Sequence, residues 1–287
     1  MNNEVTDCEI HSELTSTSGL PEELIITLAE RLKRVTSYVP TVAFFGATGA
    51  GKTRLCNALF GRDLFKVSHV RSETRTPQRE RIRIFGVEID LLDFPGIGES
   101  REYDQKYREI YRTYATSVDV VLWLIKVDDR ALAKDTDFFN NVVRPSGIPE
   151  ERLLFVVTQI DKAEKLRDWD DKLQAPGESQ RRTIREKVDH LREVFEISPS
   201  SVIPVSADLR YNIKGLAARI VQVCPDEAAL NLSRTLEKEA RNEEVGKTVF
   251  RKVLDFCRSA ASPMLSRAAD ALVSKAVERV LVRFLKL

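Results

Sequence analysis

The chain has 287 residues, enough at roughly 150 residues per domain for one large domain or two smaller ones. Lys and Arg number 45 against 44 Asp and Glu, so no net field attracts polyanions, which argues against a generally nucleic-acid-coating protein. The longest stretch without a charged side chain, Val35 to Gly51, is 17 residues long and contains Pro40, Gly46 and Gly49, too short and too broken for a transmembrane helix.

In chain order, the start Met1-Asn2-Asn3-Glu4, followed by Asp7, Glu9 and Glu13, lacks the basic start and apolar run of a signal peptide, and a cytoplasmic location is expected. Residues 1–19 are polar with few large apolar groups and are expected to form a mobile tail. From Pro21 onward Leu24, Ile25, Leu28, Leu32 and Val35 recur at helical spacing, a leading amphipathic helix. Short apolar runs then alternate with helical stretches. Strands are expected at Thr41 to Phe45, Arg81 to Phe85, Glu88 to Leu92, Asp119 to Val127, Arg152 to Val157 and Ser201 to Val205. Helices are expected near Lys52 to Phe60, Arg101 to Thr116, Lys134 to Val143, Ser179 to Phe195 and Ile213 to Val223. Such alternation predicts an α/β fold with a mostly parallel six-stranded sheet. Strand signals stop after Cys224-Pro225, so residues 20–225 are expected as one unit and 226–287 as a helical C-terminal region interrupted around Ala260 to Pro263. In its last helix Val273, Val277, Val280, Leu281, Phe284 and Leu285 share a face flanked by Lys and Arg, a pattern that fits core packing and also an interfacial helix. Cys8, Cys56, Cys224 and Cys257 have no C-x-x-C spacing, and His11, His69 and His190 lie far apart, so neither disulfides nor zinc chemistry is indicated.

The strongest chemical signal is Gly46-Ala47-Thr48-Gly49-Ala50-Gly51-Lys52-Thr53, a G-x-x-x-x-G-K-[ST] loop directly after a strand and directly before a helix. Its glycines let backbone N–H groups turn inward around phosphates, Lys52 neutralises the β and γ groups, and the Thr53 hydroxyl is placed for Mg²⁺. Arg54 follows in the same helical turn and is grouped with these nucleotide-binding candidates. Asp93-Phe94-Pro95-Gly96 closes the third apolar run, where the Asp93 carboxylate can reach Mg²⁺ through water and the Gly96 N–H can approach a γ-phosphate. Alone, D-x-x-G is a common structural turn; some forty residues after a phosphate loop it points to chemistry. Between them lies the polar stretch Arg71 to Pro77, where Thr74, or second Thr76, is the candidate to complete the Mg²⁺ shell and assist catalysis with Lys52. Arg71, Arg75, Arg79, Arg81 and Arg83 make this the most basic region. The plainer reading is outward alternation from an edge strand, the other a partner surface. Thr158-Gln159-Ile160-Asp161 follows the fifth run, and a carboxylate at Asp161 can accept from both N1–H and the 2-amino group of guanine. Ser206-Ala207 follows the last strand, where backbone N–H groups can contact the guanine O6.

With these five motifs in order, the sequence resembles the translation-factor class of GTPases, specifically the Era/MnmE-like group of small bacterial G proteins. Within that group it resembles the prophage-encoded GTPases of enteric bacteria known as YfjP, YeeP and YkfA. The motifs lie between about Val39 and Val223. The resemblance implies a P-loop G domain that binds GTP or GDP with Mg²⁺, hydrolyses GTP, and switches between the two states, with an unidentified protein partner or activating factor. Two departures bear on mechanism. Gln159 stands where the family usually has lysine, so the clamp over the base loses its charge and weaker hold is expected. Ile97 follows Gly96 where Ras-type enzymes carry a water-orienting glutamine, so unaided hydrolysis is expected at or below the order of 10⁻³ s⁻¹. Potassium-stimulated relatives carry asparagine in the phosphate loop where this chain has Gly49, so stimulation of hydrolysis by potassium is not expected.

Other readings compete. A peripheral membrane or self-assembling, dynamin-like GTPase would use the C-terminal helices. A ribosome- or RNA-associated protein of the Era type would need a KH domain, yet after residue 210 the only glycines are Gly215 and Gly246, which do not form its G-x-x-G loop. The folate-binding domain and cysteine motif of tRNA-modifying relatives have no counterpart here. An ATPase would leave Asp161 without a role.

Overall fold

The computed structural model describes residues 7–16, 19–47, 49–61, 78–94, 112–114, 117–163, 168–261 and 267–285. The sheet is built from β1 (Thr41–Phe45), β2 (Gln78–Ile84), β3 (Val87–Asp93), β4 (Val120–Lys126), β5 (Leu153–Thr158) and β8 (Val202–Pro204), in the order β2-β3-β1-β4-β5-β8. Only β2 runs antiparallel, paired with β3 through the tight turn Phe85-Gly86, both residues at positive φ; the rest are parallel. A small hairpin, β6 (Trp169–Asp170) and β7 (Ala175–Pro176), was not anticipated because two-residue strands have no readable periodicity.

Alternation along the buried strands sorts their side chains onto two different faces. Val42, Phe44, Leu122, Leu124, Leu154 and Val156 point to a largely aliphatic layer. Its helices are α2 (Glu22–Ser37), α3 (Lys52–Phe60), α6 (Ile213–Val223), α7 (Asp226–Thr235), α8 (Glu243–Ala261) and α9 (Arg267–Leu285). Ala43, Phe45, Val121, Trp123, Phe155 and Val157 point to the opposite layer, under α4 (Ala133–Phe138) and α5 (Glu178–Phe195). There Phe94, Phe45, Trp123 and Phe155 stack ring on ring across four strands, at 4.4, 5.6 and 5.6 Å with interplanar angles of 14°, 16° and 14°. Truncating such a fully buried ring costs about 3–5 kcal/mol.

The helix expected at Lys134 to Val143 is α4 followed by one π-helical turn, Phe139–Val143. Of the helix expected at Arg101 to Thr116, residues 112–114 are described and are helical.

Two expectations are corrected. Residues 1–19 are not a tail throughout: Asp7–Thr15 forms helix α1, with Ile10 and Leu14 1% and 0% exposed. Two apolar groups in a polar segment order it because α2 and α9 supply the surface they cover, and Glu13 pairs with Arg283. The C-terminal region has a further break after α7. Glu237 N donates to the Leu59 carbonyl at the end of α3 (2.7 Å). Asn242 Oδ1 then starts α8 by accepting from Val245 N (2.9 Å), an N-cap. As the plainer reading expects, Arg79 and Arg81 form ion pairs with the buried Asp90, and Arg83 with Glu88, so these arginines serve the edge hairpin. Arg71 and Arg75 lie outside the described residues.

The apolar stripe of α9 is used internally, with Val273, Val277, Val280 and Leu281 all buried. Among the described residues no helix is long and apolar enough to cross a membrane. Cys56, Cys224 and Cys257 are buried, and burial pushes the Cys224 and Cys257 thiols up to about 12, so they pack as small apolar groups.

At the amino edge of the sheet the polar groups are mutually satisfied. Asp119, 3% exposed, accepts from Tyr38 Oη and Thr41 N, each at 2.8 Å. Asn231 on α7 donates to the Thr36 and Tyr38 carbonyls (2.8 and 2.7 Å). Lys252 on α8 reaches the Cys224 carbonyl and Asp226 (2.7 and 2.9 Å). Burial pushes the Asp119 carboxyl up to about 6.

Candidate functional site

The carboxyl ends of β1, β3, β5 and β8 converge, the place where α/β sheets bind ligands. After Phe45 the chain turns at Gly46, φ 141°, where an added Cβ would lie 2.6 Å from the Leu124 carbonyl oxygen. Only glycine fits that approach to β4. Ala50 N donates to the Ala47 carbonyl (3.0 Å), closing the loop. Gly51, φ 94°, then caps α3 without any side-chain hydrogen bond, and the first turn holds no acid. The first N–H groups of an α-helix have no partner within the helix, so the backbone at Lys52, Thr53 and Arg54 presents donors and the positive end of the helix dipole to an anion. Lys52 Nζ arches back to the Gly46 carbonyl (2.7 Å), which places its ammonium over the loop. The Arg54 side chain is paired with Asp208, so what Arg54 offers a phosphate is its backbone. Thr48 lies outside the described residues.

β3 delivers Asp93 beside this loop. Asp93 is in register with Phe44, Phe94 N donates to the Phe44 carbonyl (3.2 Å), and the Phe94 ring stacks on Phe45. Gly96, Thr74 and Thr76 lie outside the described residues.

The third loop grips the first. Thr158 is 4% exposed, and its Oγ1 donates to the Ala50 carbonyl at 2.8 Å. Gln159, in the left-handed region at φ 58°, donates from Nε2 to the Gly49 carbonyl at 2.9 Å. Two successive side chains therefore hold two successive carbonyls of the phosphate loop. Asp161 Oδ1 accepts from Ser206 Oγ at 2.6 Å, which fixes the carboxylate while leaving it lone pairs for a ligand presenting two N–H groups. Ser206 is itself held by Leu209 N, which donates to its Oγ (3.2 Å), and by its backbone bridge to Tyr211. Ala207 is partly buried against the aliphatic core.

The structure thus brings together Gly46, Ala47, Gly49 to Arg54, Asp93, Thr158, Gln159, Asp161, Ser206 and Ala207, residues up to 161 positions apart in sequence. Sequence reasoning missed the supports. Gln180 Nε2 donates to the Asp161 carbonyl (3.0 Å), and Trp169 on the small hairpin meets Tyr211 edge to face at 5.6 Å. Asp168 caps α5 by accepting from Ser179 N and Oγ (2.8 and 2.7 Å), bonds that hold its carboxyl below the usual range. Lys162, one residue beyond the motif, donates to Gln159 Oε1 (2.9 Å). Only Lys162 had a sequence signal, a cation three residues after the missing one.

The family model described as 50S ribosome-binding GTPase matches residues 41–172. YkfA of Escherichia coli (strain K12) is 35% identical over 243 residues, 82% of this chain and 82% of YkfA. YfjP of the same strain is 34% identical over 243 residues, again 82% of each. A crystal structure of Aquifex aeolicus Era bound to GDP·AlF4⁻ is 23% identical, covers 65% of this chain and 57% of that one, and has a TM-score of 0.47. The identity and coverage shared with YkfA and YfjP place the chain in their family, and with its GTPase domain it is a GTP-binding protein that hydrolyses GTP.

Proposed function

We propose that the chain is a Mg²⁺-dependent GTP/GDP switch whose unaided hydrolysis is slow and whose output passes to a protein partner in the cytoplasm. The observation that carries the reading is the Ser206–Asp161 hydrogen bond of 2.6 Å, made between loops that follow two different strands and beside a phosphate loop clamped by Thr158 and Gln159. In this reading Gly46 to Arg54 cradle the phosphates, Lys52 neutralises the β and γ groups and acts in catalysis with Thr74, and Asp161 with Ser206 and Ala207 reads guanine. The Gly96 N–H senses the γ-phosphate. Thr53, Asp93 and Thr74 would hold Mg²⁺, which when bound neutralises charge shared between the β- and γ-phosphates. The fit is supported by Thr53 standing half-buried in the first turn of an uncapped helix and by Asp93 ending the neighbouring strand. Ile97 supports a slow intrinsic rate, at or below the order of 10⁻³ s⁻¹, to be measured by single-turnover hydrolysis. Residues 20–225 form the nucleotide-handling unit in this reading, and 226–287 couple it to the partner. The core these helices share with the sheet supports that coupling.

The test is equilibrium binding of fluorescent GDP, GTP, XDP, ADP and ATP to the wild type and to Asp161→Asn, with Lys52→Ala as the negative control. Guanine selectivity in the wild type and a shift toward xanthine nucleotides in Asp161→Asn are expected, because asparagine can donate where aspartate only accepts. Equal binding of adenine nucleotides, with the variant unchanged, would overturn the assignment.

A further inference from the structure

Position 159 is where this chain departs from the family's usual lysine. An ammonium only donates, whereas a glutamine amide carries a donor group and an acceptor on one flat unit. Gln159 Nε2 donates to the Gly49 carbonyl at 2.9 Å. Rotated half a turn, the same amide would set Oε1 against that carbonyl, acceptor facing acceptor. The other end of the amide decides between the two. Lys162 Nζ donates to Gln159 Oε1 at 2.9 Å, and an ammonium has no lone pair to receive Nε2–H, so only the gripping orientation satisfies both contacts. The two residues are also tied through the backbone, where Lys162 N donates to the Gln159 carbonyl (2.9 Å) across the 3₁₀ turn Ile160–Lys162.

We propose that Lys162 is a positioning residue for nucleotide binding. It locks the Gln159 amide so that the Gly49 carbonyl stays clamped, and it returns to this loop the positive charge that position 159 lacks. The inference rests on the assignment of Thr158 to Asp161 as the base-recognition loop. A phosphate loop held in its binding shape before the ligand arrives loses less conformational freedom on binding, which lengthens residence.

Dissociation rates of fluorescent GDP and GTP from the full chain test this, with melting temperatures alongside. Lys162→Ala is expected to speed release of both nucleotides by about fivefold, the scale of one partly exposed charged hydrogen bond. Lys162→Arg, which keeps a donor, should restore release to within about twofold of wild type. In a Gln159→Lys background, where the introduced ammonium reaches the Gly49 carbonyl without an amide to orient, Lys162→Ala should change nothing further. That non-additivity distinguishes positioning from direct contact. Unchanged release in Lys162→Ala, or equal acceleration in both backgrounds, would overturn the proposal. Failure of the base-recognition assignment has a separate signature: a wild type that holds adenine nucleotides as tightly as guanine ones.

Discussion

The two edges of the sheet treat their polar groups in opposite ways. At the amino edge each polar group has a partner: Tyr38 and Thr41 donate to Asp119, Asn231 to the Thr36 and Tyr38 carbonyls, and Lys252 to the Cys224 carbonyl and Asp226. At the carboxyl edge the first turn of α3 has no side-chain cap, and glycines at φ 141°, 81° and 94° shape the loop before it. Satisfied groups contribute to folding and are indifferent to ligand, whereas unsatisfied donors contribute nothing to folding and are available to phosphate. Stability and binding should therefore respond to different substitutions.

The largest expected effect is at the carboxyl edge. Lys52→Ala should weaken GDP and GTP binding by at least roughly a hundredfold, as loss of one charged partner of a phosphate does, while leaving the melting temperature of the nucleotide-free protein nearly unchanged. Titration with fluorescent nucleotide and thermal unfolding check both halves. The mirror case is Asp119→Ala, which leaves Tyr38 Oη and Thr41 N without their acceptor and should cost about 2–4 kcal/mol in urea unfolding. Its nucleotide affinity should match wild type; a parallel fall would show that the edges are coupled.

Asp119 also carries a pH dependence. Its value in the folded chain is raised by burial from an ordinary 3.8 to about 6, so between those values the folded state binds more protons than the unfolded one. Stability from this group is then greatest below the unfolded value and is lost as pH rises toward 6, by up to about 2–3 kcal/mol. Urea midpoints across that window should fall with pH in wild type, and Asp119→Asn should flatten that slope. A slope unchanged in the variant would place the titration elsewhere.

Thr158→Val probes the boundary between the two behaviours. The residue is buried like the amino-edge groups yet holds the Ala50 carbonyl of the phosphate loop. Both quantities should move, stability by about 1 kcal/mol and nucleotide release by several-fold. The smallest effect is expected for Arg54→Ala. Its exposed pairing with Asp208 should be worth under about 1 kcal/mol, and affinity should stay within about twofold because only its backbone faces the loop.

What the sequence determined by itself is everything encoded locally. Thr41–Phe45, Lys52–Phe60 and Ile213–Val223 have the same bounds in sequence reading and structure, because glycines, prolines and apolar periodicity mark them without help from elsewhere. The order of the phosphate loop, Asp93 turn, Thr158–Asp161 and Ser206-Ala207 was equally plain. Tertiary structure alone decided how those segments hold each other. Thr158 reads as a member of a motif, but its hydroxyl is engaged on a carbonyl 108 residues away. Ser206 steadies Asp161 across 45 residues. Helix α1 exists only because α2 and α9 offer its two apolar residues a surface, and the missing charge at Gln159 is met by Lys162 only once a left-handed turn brings the side chains together. Local preference depends on neighbours in the chain, whereas burial and hydrogen-bond satisfaction depend on neighbours in space, which chain closure supplies only after the sheet has formed.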